Sequence, residues 1–139
     1  MYQFVSDLLW KIIKPIASKV VIKRGYPQDA VERKCGNIPE EGFSQNDNVI
    51  MFHGVSVGET VALENLVKTT RKEFPNAKIV MTTGTYTGQE IAKKKLAEYT
   101  DLITYYPADF PCVIKKFLDK VNPKTVFIAE KEIWPNFAI

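Results

Sequence analysis

Val49-Ile50-Met51-Phe52-His53-Gly54-Val55-Ser56-Val57-Gly58-Glu59-Thr60 sets a short apolar run against a glycine-bearing turn and a carboxylate that opens a helix-like segment. The run at 49–52 is too short to bury a helix, and its apolar, partly β-branched character predicts a strand. Further runs of this kind follow at 79–81 (IVM), 102–105 (LITY) and 125–129 (TVFIA). Helix-like segments at about 59–73, 88–98 and 110–120 alternate with them. Strand, helix, strand, helix is the pattern of βαβ units and predicts a parallel sheet flanked by helices. In such sheets ligands bind outside the carboxyl ends of the strands. Those ends fall at 54–58, 82–87, 107–109 and 130–136, all expected on one edge.

Outward from this core the chain changes character. Residues 25–48 are rich in Gly, Pro, Asn and charge and predict a connection with one helical turn around 29–34. Residues 1–24 carry Lys11, Lys14, Lys19, Lys23 and Arg24 against Asp7, so the segment holds +4 and the rest of the chain −1, for a net +3. Leu9, Ile12, Ile13, Ile16 and Val20 share one helical face, and Asp7, Lys11, Lys14 and Ser18 the other. The segment is too charged to span a bilayer and lacks the cleavage site of a signal peptide. Pro15 removes one helical hydrogen bond and predicts a kink. Two readings fit the pattern: a helix in a membrane interface with lysines reaching anionic headgroups, or a helix packed on its own domain or on a partner. Positive charge confined to one terminal segment argues against a nucleic-acid binder, which spreads it as a patch over the folded domain.

A 139-residue chain that is 45% hydrophobic and 25% charged is that of one globular domain rather than a disordered or fibrous chain. Cys35 and Cys112 lie far apart without the spacing of a disulfide framework or a zinc site, which fits a reduced, cytosolic compartment.

The strand-end loops carry the candidate chemistry. Ser56-x-x-Glu59 has the spacing of a capping box, in which Ser56 accepts from the Glu59 amide and Glu59 reaches back to that of Ser56. The functional reading of the same residues makes Glu59 a general base, because a helix amino terminus favours the ionised carboxylate that can accept a proton. Gly54 and Gly58 let backbone approach a ligand. The second loop, Thr82-Thr83-Gly84-Thr85-Tyr86-Thr87-Gly88-Gln89-Glu90, suits a phosphate or sugar held by amides and hydroxyls. It lacks the GK[ST] ending of a Walker loop, and Thr87-x-x-Glu90 again fits a capping box. His53 is the single histidine; it reads as a satisfied, partly buried residue, and GVSVG is not a nucleophile elbow because no later histidine follows. In the last loop Glu130 and Glu132 share a face if the strand continues through them, with Lys131 opposite. They read either as a solvated cluster or as a weak metal-ligand pair.

HGVSVGET, TTGTYTGQE, the YYPADFP stretch at 105–111 and EKEIWPN, in this order, resemble the Kdo (3-deoxy-D-manno-octulosonic acid) transferase family, with similarity from the terminal helix to Ile139. The resemblance implies a GT-B architecture of two Rossmann-like domains. Residues 1–24 would be the membrane anchor, 25–48 a linker and 49–139 an incomplete acceptor-binding domain, with the donor domain absent. It implies inverting transfer of Kdo from CMP-Kdo to a lipid A precursor at the cytoplasmic face of the bacterial inner membrane. No metal, cofactor or nucleic acid is expected, and no transfer by this chain alone. Glu59 maps onto the family's base and Glu130 onto its acceptor site, and Ser56, Gly58, Thr83, Thr85 and Glu132 complete the expected acceptor-binding set. The rival expectations are a membrane-associated glycolipid-binding module without catalysis and an unrelated Rossmann-like nucleotide binder.

Overall fold

The computed structural model describes residues 2–38, 43–130 and 135–136. Helix α1 (Tyr2–Lys23) and the short α2 (Gln28–Lys34) precede β1 (Val49–Gly54), α3 (Val57–Glu73), β2 (Lys78–Thr83), α4 (Tyr86–Leu96), β3 (Leu102–Tyr105), α5 (Pro111–Val121) and β4 (Thr125–Ile128). All strand pairs are parallel and the order is β3-β2-β1-β4. The expected α/β class and all four strands are present, with β1 and β2 longer than their apolar cores.

Strand β1 is buried along its whole length because it feeds two cores through the alternation of its side chains. Ile50 and Phe52 join Leu63 and Val67 of α3, Ile79 and Met81 of β2, and Ala92 and Leu96 of α4. Val49 and Met51 join Ile114, Phe117 and Val121 of α5 on the other face. Those α5 residues recur at helical spacing, so one stripe of the helix is sealed against the sheet. Asn122 ends α5 in a left-handed conformation, and its amide donates to Leu118 O at 2.8 Å.

At the amino edge Arg71 and Asp101 staple the α3 face to the sheet. The Arg71 guanidinium meets Asp101 at 2.5 Å and donates to the carbonyls of Pro75, Ala77 and Tyr99. Asp101 also accepts from the Ile79 amide at 2.7 Å. Burial pushes this carboxyl up, but the Ile79 amide and Arg71 outweigh it and hold it below the usual carboxylate range.

The connecting stretch contributes to the interior, because Ala30, Cys35 and Ile38 are buried and Ile38 joins the α5-side core. Its expected helical turn is α2. Helix α1 runs through Pro15 and contacts α2 and α5. Trp10 stacks on Phe110 at 4.7 Å between centroids, and Asp7 Oδ1 accepts from the Cys112 amide at 3.1 Å. The face toward the domain is thus the one bearing Asp7 and Trp10. The apolar face points away: Leu9, Ile12, Ile16 and Val20 are exposed, Ile16 by 64%. No helix among the described residues is long and apolar enough to cross a membrane.

Gly36 ties the connecting stretch to α5. Its φ of +78° favours glycine, and a Cβ there would stand 2.7 Å from Val113 O. Gly36→Ala is expected to lower stability by about 1–3 kcal/mol, read as a fall in the urea midpoint without a change of slope.

Candidate active site

All four strands end on one edge, at Gly54, Thr83, Tyr105 and Ile128. The chain steps from β1 to β2 to β3 on one side and returns to place β4 on the other side of β1. The connections therefore diverge between β1 and β4, and that switch point opens the crevice in which sheets of this kind hold ligands. The loop of Glu59 follows one of these strands and Glu130 the other; Ala129 N donates to His53 O at 2.9 Å and keeps the two ends together.

Ser56 caps α3, accepting from the Glu59 amide at 3.5 Å and donating its proton to Glu59 Oε1 at 2.8 Å. Glu59 Oε2 accepts from the Val55 amide at 2.7 Å. The box expected from Ser56-x-x-Glu59 forms with one correction: the carboxylate reaches the amide of Val55, one residue before Ser56. The chain turns sharply at Val55 because its carbonyl is held from the other side. Gly84 N, Thr85 N and Thr85 Oγ1 all donate to Val55 O, at 3.1, 3.0 and 3.1 Å.

That grip also fixes the second loop. A Cβ on Gly84 would lie 2.7 Å from Val55 Cγ1, so only glycine lets the loops close on one another. Thr85 is the N-cap of α4 and accepts from Gly88 N at 3.1 Å. The box expected at Thr87 and Glu90 does not form, since the helix begins earlier, at Tyr86, and Glu90 instead approaches Lys93 at 3.5 Å. Thr83 is fully buried and donates to Gln89 Oε1 at 2.6 Å. Gly54 packs against the start of α3, with Glu59 and Thr60 backbone 3.2 Å from where a Cβ would sit. Gly58 is exposed, and nothing lies closer than Ser56 Oγ at 3.9 Å. It leaves the mouth of α3 open.

Glu130 is exposed and adopts φ +59°, so the strand does not continue through it. The face-sharing expected of Glu130 and Glu132 therefore fails at Glu130, and Glu132 and Lys131 lie outside the described residues. Asn136 of the same loop reaches the third one, its Nδ2 donating to Asp109 O at 2.9 Å and to Asp109 Oδ2 at 3.2 Å. Among the described residues no group of three or more His, Cys, Asp or Glu side chains could hold a metal.

Sequence reasoning passed over Lys34. It ends α2 beneath the same edge, donates to Gly84 O at 2.9 Å and lies 5.2 Å from the Tyr105 ring centroid. Burial lowers its pKa. The signal was one basic residue among several in a polar stretch, and only the packing of α2 distinguishes it.

His53 is buried, as expected, but only half satisfied. Its Nδ1 meets Thr82 Oγ1 at 2.9 Å, while Nε2 has no partner among the described residues. Burial pushes the imidazole down to about 4, against the hydrogen bond at Thr82 and the charge of Glu59, which favour protonation.

The parallel sheet with flanking helices, carrying a capped carboxylate at its switch point, is a Rossmann-like α/β domain, consistent with the amino-terminal half of a GT-B glycosyltransferase. Residues 29–139 match the family described as 3-deoxy-D-manno-octulosonic-acid transferase (Kdo transferase), and the chain belongs to that family. It is 38% identical over 89 residues to the 3-deoxy-D-manno-octulosonic acid transferase of Haemophilus influenzae, covering 63% of this chain and 20% of that protein. A probable mitochondrial 3-deoxy-D-manno-octulosonic acid transferase of Arabidopsis thaliana is 34% identical over 89 residues, 64% of this chain and 20% of the relative. A bifunctional glycosyltransferase/methyltransferase of Fusobacterium nucleatum is 32% identical over 131 residues, 92% of this chain and again 20% of the relative. The chain spans about a fifth of the length of these curated relatives.

The imidazole makes stability depend on pH in a defined direction. The unfolded chain takes up a proton at His53 near pH 6.5, whereas the folded chain does so only near 4. The contribution of His53 to stability is therefore expected to fall by about 3 kcal/mol as pH drops through that window. Urea unfolding from pH 7 to 4 checks this, and His53→Leu should remove that part of the slope.

Proposed function

We propose that this chain is the acceptor-binding half of an inverting glycosyltransferase that moves Kdo from CMP-Kdo to a lipid A precursor, with Glu59 as base. The observation that carries the reading is a carboxylate fixed by Ser56 and the Val55 amide at the open mouth of α3, beside the crevice between β1 and β4. A sugar hydroxyl is a poor nucleophile. A carboxylate that takes its proton as the oxygen attacks the anomeric carbon, while the bond to the CMP oxygen breaks, contributes about 10²–10⁴-fold. Gly58 leaves room for the acceptor, and Ser56 and exposed Glu130 flank it. Thr83 and Thr85 act from beneath, by holding the second loop. CMP-Kdo is the donor, bound by a second α/β domain. The residues described here supply no transfer by themselves.

The outward apolar face of α1 supports a place at the cytoplasmic surface of the inner membrane. Leu9, Ile12 and Ile16 enter the interface and the basic residues of 1–24 meet anionic headgroups. Sedimentation with vesicles containing phosphatidylglycerol is expected, weakening as salt rises. An Ile12→Asp, Ile16→Asp double variant should remain in the supernatant.

A second reading, a glycolipid-binding module without catalysis, is favoured by the two hydrogen bonds that already occupy both Glu59 oxygens. Glu59→Gln in a protein that also carries the donor domain separates the two. The base role predicts a loss of transfer of about 10²–10⁴-fold with an unchanged melting temperature. Near-normal transfer would leave Glu59 as a helix cap alone.

A further inference from the structure

Lys34 is the side chain that joins the connecting stretch to the loops of the carboxyl edge. It closes α2, and its own carbonyl accepts from the Ala108 amide of the third loop at 2.8 Å. Its half-buried ammonium crosses to the second loop, donates to Gly84 O at 2.9 Å and lies over the rings of Tyr26 and Tyr105, 5.7 and 5.2 Å from their centroids. Among the described residues it forms no ion pair with a carboxylate. A cation in this place is an expensive way to fill space. Burial disfavours its charged form, whereas a thioether of the same length would pack on the two rings without that penalty. What the charge adds is the bond to Gly84, since a hydrogen bond from an ionised donor is roughly twice as strong as a neutral one.

That bond has a short path to the carboxylate. Gly84 O and Thr85 N belong to one peptide group, so the group that receives Lys34 on its oxygen gives its N–H to Val55 O at 3.0 Å. A donor on the oxygen polarises the N–H and strengthens the next bond by about 10–30%. Gly84 N and Thr85 Oγ1 grip the same carbonyl, so the placement of Gly84 decides the placement of Val55. The Val55 amide then donates to Glu59 Oε2 at 2.7 Å, and Ser56 holds only the other oxygen.

We infer that Lys34 is a positioning residue for Glu59: by holding Gly84 it fixes the Val55 turn, and with it the direction in which the carboxylate faces an acceptor hydroxyl. Its role needs no contact with substrate. That Glu59 acts as base rests on the reading proposed above, whereas the coupling of Lys34 to the carboxylate rests on the hydrogen bonds alone.

Lys34→Met keeps the length of the side chain and its ring contacts and removes the charge with its hydrogen bond; Lys34→Arg supplies both again. In the ¹³C,¹⁵N-labelled chain Lys34→Met is expected to shift the Val55 amide and the Glu59 carboxyl carbon, with an unchanged or raised melting temperature. Lys34→Arg should return both signals toward their original positions. In a protein that also carries the donor domain, Lys34→Met should lower kcat at least about tenfold and leave KM for the acceptor within about twofold, because a displaced base is felt in the transition state and not in the bound ground state. Lys34→Arg should recover most of that loss. In a Glu59→Gln background the same Lys34→Met change should cost less than about twofold, since its effect passes through Glu59. Unmoved Val55 and Glu59 signals would overturn the assignment. So would a melting temperature lowered by more than about 5 °C, which would make Lys34 a part of the fold, or a raised KM with kcat retained, which would make it a substrate contact. Near-normal transfer by Glu59→Gln would instead remove the base and leave the coupling seen in the spectra standing.

Discussion

The carbonyl of Val55 is the point on which the functional edge depends. It accepts from Gly84 N, Thr85 N and Thr85 Oγ1, and the amide of the same residue donates to Glu59. One residue thereby fixes where α3 begins, where α4 begins and where the carboxylate stands. The grip requires a residue without a side chain at 84, since any Cβ would meet Val55 at 2.7 Å. It also explains why α4 starts at Tyr86 rather than at the later capping signal. The loop amides that could have opened that helix further along are already held by Val55, and Thr85 is left to cap.

Around that point the sheet divides the labour between its faces. Strand β1 sends Ile50 and Phe52 toward α3 and α4, and Val49, Met51 and then His53 toward α5. The alternation places His53 against Tyr106 on the α5 side, while the loop that follows β1 carries Glu59. The amphipathic terminal helix follows a related logic. It meets the domain through Asp7 and Trp10, a mixed face, so that its aliphatic face is left outward.

Much of this was legible in the linear chain because the signals are local. Strand runs of three to five mostly apolar residues and the stripe of Val113, Ile114, Phe117 and Val121 carry their periods in sequence. Ser56 and Glu59 announce a helix start for the same reason. What the reading lacked were partners distant in the chain. Glu59 reaches the amide of Val55 rather than that of Ser56, in a turn that residues thirty positions away hold by the Val55 carbonyl. The pairing of Glu130 with Glu132 was drawn from strand alternation, which ends when Glu130 turns to positive φ.

The sequence by itself determined the α/β alternation, the common edge of the loops, the capped carboxylate at Glu59 and the motifs that define the family. Each follows from residue type and spacing within one or two turns of chain. Only the tertiary structure decided that the stretch before β1 belongs to the interior and that Lys34 stands beneath the Gly84 loop. It also decided that His53 is committed through Nδ1 to Thr82 with Nε2 left buried and without a partner among the described residues. Those facts depend on which groups burial brings together and which hydrogen-bond capacity remains when neighbours are served. No local pattern encodes that remainder, because it is a property of the packed edge as a whole.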